Sequence, residues 1–384
     1  MQDTVQQKFP ARKGVSILYC VILFAFLLVS VHPLNAEQAR TIEDAAGRTV
    51  HIPHKVKRVI CSGPGALRLL TYLQAQNRIV AVDSIEKRGS PVDMRPYAQA
   101  NPQFEDYPLF GEFRGQDNPE LIAALQPQPQ VIFRTYPGMG KDPEDVQQKT
   151  GVPVIILSYG NLTYDRQKLN RSLRLMGRVL GKQDRAEEVI GYLDRVISDL
   201  RERGSQVPRS ERPRAYVAGV ASRGPHGVRS TNPSYPPFQF LGVENMAKEL
   251  STQERPLSQA TVAQEKILLW DPEVIFLDIA SLHLEGGGNA LSQLQNDPAY
   301  QSLSAVRRNE VYGVFPYNSY TNNFESILAN AYYIGSVLYP ERFSDIDPMH
   351  KAEEICRFLN GSPAMKDINS QRMDNPAFSR LEVR

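Results

Sequence analysis

The chain has 384 residues, 41% of them hydrophobic and 22% charged, with 44 Lys and Arg against 42 Asp and Glu. That length accommodates two domains with sizeable cores, and the near-neutral balance excludes a strongly basic nucleic-acid surface. Three cysteines are too few for a disulfide scaffold.

Lys8, Arg12 and Lys13 precede Gly14–Val31, an almost uninterrupted apolar run that Pro33 ends. A basic stretch, an apolar run and a small residue at Ala36 make the pattern of a secretory signal, with the mature protein starting at Glu37. Leu34 fits the −3 position imperfectly, and an uncleaved membrane anchor is the alternative reading. Both readings export the body of the protein. Removing residues 1–36 takes away Lys8, Arg12, Lys13 and Asp3, which leaves the acidic and basic side chains in balance. No second apolar run is long enough to span a bilayer. Cys20 lies inside the apolar run, so it is not placed as a lipidation site. Cys61 and Cys356 are expected as two buried thiols, with a single bridge as the alternative in an oxidising compartment.

Beyond the leader, the order is that of an α/β protein. Glu43–Pro53 reads as a hairpin turning at Ala46-Gly47, and Val56–Cys61 as a short buried strand. Ser62-Gly63-Pro64-Gly65 then leads into a helix over Ala66–Ala75, followed by a strand at Ile79–Val82. Residues 83–119 are rich in proline and loop-like. A helix at Pro119–Leu125, a strand at Val131–Phe133, a helix near Glu144–Lys149 and a strand at Val154–Leu157 complete a first lobe, residues 37–162. Alternating strands and helices imply a mainly parallel sheet.

From Tyr164 to Gly204 the spacing changes to helical. Leu169, Leu173, Met176 and Leu180 form one apolar stripe, and Ala186, Val189, Ile190, Leu193, Val196, Ile197 and Leu200 a second. Gly181 closes the first half, and Gly204 with Pro208 ends the second. Residues 163–206 are therefore expected as linking helices, a stiff spacer whose one point of give is Gly181. A second lobe, residues 207–362, repeats the alternation. It has a strand at Ala215–Val220, a long loop to Phe238 and a helix from Phe240 to Leu250 interrupted at Gly242. Helix Gln264–Trp270, strand Val274–Asp278, a glycine-rich loop at Gly286–Gly288, strand Val311–Phe315 and helix Phe324–Leu338 follow. The tail, residues 363–384, is polar and expected to be loose. The fold expected is two mainly parallel-sheet α/β lobes joined by a long helical linker, with a ligand cleft between them.

Two segments echo each other across the linker. Glu120 is followed by Ile122, Leu125 and Pro127, and Glu265 by Ile267, Trp270 and Pro272, at identical spacing. Each acidic residue sits in the first turn of a short helix, where the helix dipole favours it. These segments, NPELIAALQPQPQVIF and TVAQEKILLWDPEVIF, together with the opening DAAGRTVHIPHKVKRVI and the closing AVRRNEVYGV, resemble the periplasmic binding proteins for iron chelates and cobalamin. The resemblance runs from about Thr41 to about Pro340. It implies two α/β lobes on a helical backbone, delivery of a small-molecule metal chelate to an ABC permease and thereby to its ATPase, and one docking carboxylate per lobe, at Glu120 and Glu265. A monomer, no resident cofactor and no nucleic-acid partner are expected.

In open α/β sheets, ligands meet the loops beyond the carboxyl ends of the strands. Those loops carry Ser62, Phe113, Arg114, Arg134, Tyr136, Arg223, His226, Arg229, Tyr235, Tyr317 and Tyr320. Guanidinium groups beside aromatic faces suit a ring-bearing anion such as a ferric siderophore-like complex. Cobalamin, haem or a molybdate-type oxyanion is the alternative, the last favoured by Ser230-Thr231-Asn232. Direct metal ligation by His226, His283, Tyr317 and Tyr320 has no paired-ligand spacing behind it. Nor does an enzyme find support. Gly177-x-x-x-Gly181-Lys182-Gln183 falls one residue short of a P-loop and lacks its Ser/Thr, and HExxH, GxSxG, CxxC and EF-hand patterns are absent. A ligand sensor feeding a membrane receptor would use the same cleft without import.

Overall fold

The computed structural model describes residues 1–3, 39–87, 93–252, 254–284, 288–371 and 376–383. The apolar N-terminal run with Cys20, the proposed cleavage point at Ala36 and the glycines Gly286 and Gly287 lie outside the described residues. No helix among the described residues is long and apolar enough to cross a membrane.

A two-stranded ribbon, β1 (Ala39–Glu43) and β2 (Thr49–Pro53), opens the chain and turns through Gly47 at φ 78°. The first lobe is built on β3 (Val59–Ser62), β7 (Val131–Thr135) and β8 (Val154–Leu157), parallel in the order β3-β7-β8. These strands are fully buried and read as continuous apolar runs, as a sheet covered on both faces requires. Beside them β4 (Val82–Asp83), β5 (Leu109–Glu112) and β6 (Gln116–Asp117) form a small second sheet. Helices α1 (Ala66–Tyr72), α2 (Pro119–Ala124) and α3 (Pro143–Thr150) connect the strands.

The linking segment is a helical hairpin. Helix α4 (Arg166–Leu180) ends on Gly181 at φ 66°, and α5 (Gln183–Ser205) turns back along it. Arg166 pairs with Asp194 at 2.9 Å and Arg174 with Glu187 at 2.7 Å, so residue numbers rise on one helix as they fall on the other. The expectation of one spacer bending at Gly181 is therefore revised. α4 belongs to the first lobe, where Ser172 exchanges hydrogen bonds with the Ser158 backbone. α5 runs on from there to the second lobe. Near its start Arg185 donates to the carbonyls of Tyr72 and Phe358, and near its end Arg203 pairs with Asp345. Its 23 residues span ~34 Å at 1.5 Å per residue.

The second lobe carries β9 (Arg214–Ala218), β11 (Glu244–Asn245), β13 (Val274–Asp278) and β14 (Val311–Val314), parallel in the order β11-β9-β13-β14. β10 (Ser230–Thr231) and β12 (Ala260–Thr261) pair antiparallel beside it. The helix expected over Phe240–Leu250 is instead α6 (Pro236–Leu241), stopped by Gly242 at φ 66°, with edge strand β11 after it. Helix α7 (Gln264–Trp270) enters β13, and α8 (Phe324–Leu338) covers the sheet. Helices α9 (Pro348–Asn360) and α10 (Met365–Ser370) follow.

The end of the chain is packed, contrary to the expected loose tail. Phe378 and Leu381 donate backbone N–H groups to the carbonyls of Gly313 and Val311, and Gly313 donates to the Ser379 carbonyl. The tail thereby closes the exposed edge of β14, and Ala377, Leu381 and Val383 are buried. Both Cys61 and Cys356 are buried free thiols.

Candidate functional site

Loops from the carboxyl ends of strands in both lobes converge on one cavity of ≈ 1010 Å³. The first lobe contributes Ile85, Met94, Arg95, Phe113, Arg114, Tyr136 and Met139; the second contributes Ala221–Pro225, Ala280 and Pro316 with Asn318–Thr321.

Each lobe offers an arginine from a left-handed turn. β5 ends at Glu112, which accepts Ser84 Oγ at 2.5 Å, and Ser84 Oγ in turn accepts the Phe113 N–H at 3.1 Å. The chain then passes through Arg114 at φ 59° and Gly115 at φ 72°. A Cβ at Gly115 would run into the Arg134 guanidinium, so glycine is required there. The Arg114 guanidinium lies 5.0 Å from the Phe113 ring centroid. In the second lobe Arg223 occupies a turn at φ 59°, closed by a 2.9 Å bond from the Ser222 N–H to the Gly224 carbonyl. Neither arginine has a carboxylate partner among the described residues, and both are exposed. Arg95 differs: its charge is engaged by Asp93 at 2.5 Å and Glu86 at 2.9 Å.

Tyr320 joins the two halves of the floor. Its hydroxyl donates to Asp83 Oδ2 at 2.7 Å and accepts the Arg114 N–H at 3.0 Å. Tyr136 shares a 2.9 Å hydrogen bond with Thr321 Oγ1. Beneath them Arg68 is wholly buried and reaches from α1 into the other lobe. It donates to the carbonyls of Ser319 and Asn322 and to Asn323 Oδ1 at 2.6 Å.

Of the residues expected in the cleft, Phe113, Arg114, Tyr136, Arg223 and Tyr320 line it. Six do not. Ser62 and Arg134 are buried with Asp117, which accepts Ser62 Oγ at 2.5 Å and Arg134 at 2.9 Å. Burial lifts the Asp117 carboxyl while Arg134 and Ser62 hold it down. A buried ion pair of this kind is a structural tie, since losing one partner strands the other charge at a cost of about 3–5 kcal/mol. Tyr235 sits in the second-lobe core, edge-on to Phe238 at 5.0 Å, and Tyr317 accepts the Asn232 amide at 2.6 Å. His226 bonds back to the Ser222 carbonyl at 2.8 Å. Arg229 holds the Val262 carbonyl at 2.9 Å, beside the β10–β12 pair.

The imidazole of His226 and the hydroxyls of Tyr317 and Tyr320 are thus each engaged with separate partners, and the His283 side chain lies outside the described residues. Among the described residues no group of three or more His, Cys, Asp or Glu could hold a metal ion. The sequence pattern leaves Arg95, Met94 and Ile85 unmarked, because the proline-rich stretch that carries them shows no strand or helix period to locate them.

Glu120 and Glu265 occupy the first turns of α2 and α7, exposed and without an ion-pair partner among the described residues. The echo in spacing is structural. Ile122 and Ile267 are both buried two positions on, Leu125 and Trp270 five positions on, and the strands that follow, β7 and β13, lie inside their sheets.

Residues 59–316 match the family model described as periplasmic binding protein. The molybdate-binding protein MolA of Haemophilus influenzae is 24% identical over 348 residues, covering 85% of this chain and 92% of that protein. Its molybdate-bound structure superposes with a TM-score of 0.61 at 21% identity, covering 84% of this chain and 98% of the other. A periplasmic solute-binding protein from Veillonella parvula gives a TM-score of 0.63 at 17% identity, with coverage of 86% and 95%.

Proposed function

The chain belongs to the periplasmic binding protein family of ABC transporters, and from that premise we propose that it captures an anionic iron chelate, a ferric siderophore-like complex, between its lobes. The observation that carries this reading is the pair Arg114 and Arg223, two guanidinium groups without carboxylate partners among the described residues, facing one cavity of ≈ 1010 Å³ from opposite lobes. A cavity of that volume lies at the upper end of small-molecule sites, which run about 300–1,000 Å³. Phe113 and Tyr136 give it aromatic walls, and Met94 and Met139 supply adaptable apolar contacts. The metal complex is cargo, and the protein needs no resident cofactor to hold it. Glu120 and Glu265 are the contacts through which a monomer in the periplasm meets the permease.

Molybdate is the second reading, favoured by the similarity to MolA over 85% of the chain. A bare tetrahedral oxyanion would occupy only a small part of a cavity of ≈ 1010 Å³. A thermal-shift screen against ferric siderophores, haem, cobalamin and molybdate separates the readings. The true ligand at a hundredfold its Kd stabilises by about 2.7 kcal/mol. Arg114→Ala and Arg223→Ala are each expected to weaken a chelate by about tenfold, whereas Arg229→Ala leaves it unchanged. Stabilisation by molybdate alone would replace the chelate with the oxyanion, and full affinity in both arginine variants would move the site out of this cavity.

A further inference from the structure

Resting on the reading of this cavity as the cargo site, we propose that Tyr320 and Thr321 are positioning residues: second-lobe side chains that set the first lobe's Arg114 and Tyr136 for cargo across the cleft. Backbone conformation points to it. Among the described residues ten that are not glycine have a positive φ, and five of them line this one cavity: Arg114 at 59°, Tyr136 at 49°, Arg223 at 59°, Tyr320 at 48° and Thr321 at 68°. Residues other than glycine seldom adopt that region, a β-branched threonine least of all, and they persist there only where their surroundings hold them.

Four of the five hold one another in two pairs, each crossing between the lobes. Tyr320 Oη accepts the Arg114 N–H at 3.0 Å, and Thr321 Oγ1 shares a hydrogen bond of 2.9 Å with Tyr136 Oη. The first lobe is shaped around this segment. Tyr320 donates to Asp83 at 2.7 Å, and its ring lies 6.3 Å from that of Phe113. Gly65, just before α1, makes room for Thr321, since a Cβ there would lie 2.8 Å from the Thr321 methyl. Arg68 donates to the Ser319 and Asn322 carbonyls at 3.2 Å and 2.9 Å, on either side of the pair.

Arg223 is held differently. Its turn is closed inside the second lobe by the Ser222 N–H to the Gly224 carbonyl, and Asn318 Nδ2 donates to the Ala221 carbonyl at 2.8 Å just before it. The second lobe's guanidinium is thus preset by its own loop, whereas the first lobe's guanidinium and phenol take hydrogen bonds from the other lobe's hydroxyls. An anionic cargo meets a finished half-site on the second lobe. On the first lobe, the half-site is complete only while the lobes meet.

The first test needs no cargo. Tyr320→Phe keeps the ring and removes the hydroxyl, so exchange of the Arg114 amide, read by NMR, is expected to rise about tenfold or more. The Lys141 amide, which donates to the Gly115 carbonyl at 2.8 Å within the first lobe, is the internal control and should stay within about twofold. Equal exchange at Arg114 in variant and wild type overturns the proposal. The second test titrates a ferric tricatecholate, and molybdate alongside it. Tyr320→Phe is expected to weaken the bound probe about tenfold and Thr321→Val about threefold, while Thr321→Ser, which keeps the hydroxyl, restores wild-type affinity. Because Tyr320 acts through Arg114, adding Tyr320→Phe to Arg114→Ala should weaken binding by less than about twofold more. Multiplying effects in that double variant, or wild-type affinity in Tyr320→Phe and Thr321→Val beside a weakened Arg114→Ala, overturn the positioning role and leave the cargo site standing. Wild-type affinity in Arg114→Ala and Arg223→Ala, or no binding of either probe by the wild type, overturns the cargo reading itself.

Discussion

Asp83 shows how much a single buried side chain is governed by what surrounds it. Burial and the neighbouring Glu86 carboxylate push its carboxyl up to about 7, against hydrogen bonds from Tyr320 and the Ile85 N–H and the field of Arg95. Asp278, at the end of β13, is pushed up to about 7 by burial, against N–H groups of Ala280 and Ala221. In the unfolded chain both would titrate near 3.9. Between these values the folded protein holds protons that the unfolded chain has released. Their contribution to stability is fully present below about pH 4 and is lost as pH rises through about 7. The melting temperature should therefore be higher at about pH 5 than at about pH 8, and Asp83→Asn should flatten part of that slope, as scanning calorimetry across the range will show. An unchanged slope in Asp83→Asn would place the protons elsewhere. At this scale the sequence is least legible. Which loops face the cleft follows from strand order, but which side chains remain available follows from partners far along the chain. Asp117 claims Arg134 across 17 positions, and Asn232 claims Tyr317 across 85. Nothing local marks those claims.

Elements were far easier to read, wherever their evidence is local. β8, α7, β13 and α8 coincide with the spans expected from apolar runs and helical spacing. Failures came where a partner distant in sequence decides the outcome. Gly242 marks the end of α6, yet the strand after it exists only because β9, some thirty residues earlier, offers an open edge. The tail is the same case. Phe378, Leu381 and Val383 make too short a pattern to signal a strand, and their pairing partner β14 is about seventy residues away. The tail should matter to stability, because Leu381 is buried among residues of the second-lobe core. Leu381→Ala is expected to cost about 2–5 kcal/mol in urea denaturation, the range for a buried leucine that leaves a cavity. An effect below about 0.5 kcal/mol would mean that the tail detaches freely in solution.

For the whole molecule, the linker is only one of several ties between the lobes. α5 spans them, Arg68 and Tyr320 stitch them beneath the cleft, and Met94 packs with Ile279, Phe315, Met365 and Ile368 at a third place. Large opening of the lobes would break the Arg68 and Tyr320 hydrogen bonds and the Met94 packing. Arg68→Met, which keeps bulk and removes the donors, is expected to raise hydrogen exchange at the amides of Ser319–Asn323 by about tenfold or more, with far smaller changes in β3 and β13. Uniform protection in that variant would show that the stitch is dispensable. The position of the Arg68 stitch has a mechanical consequence. It lies beneath the cleft, where Arg68 takes the Ser319 and Asn322 carbonyls on either side of Tyr320, and Tyr320 takes the Arg114 N–H. A shift of one lobe against the other therefore reaches the turn that carries Arg114 directly, through a single phenol.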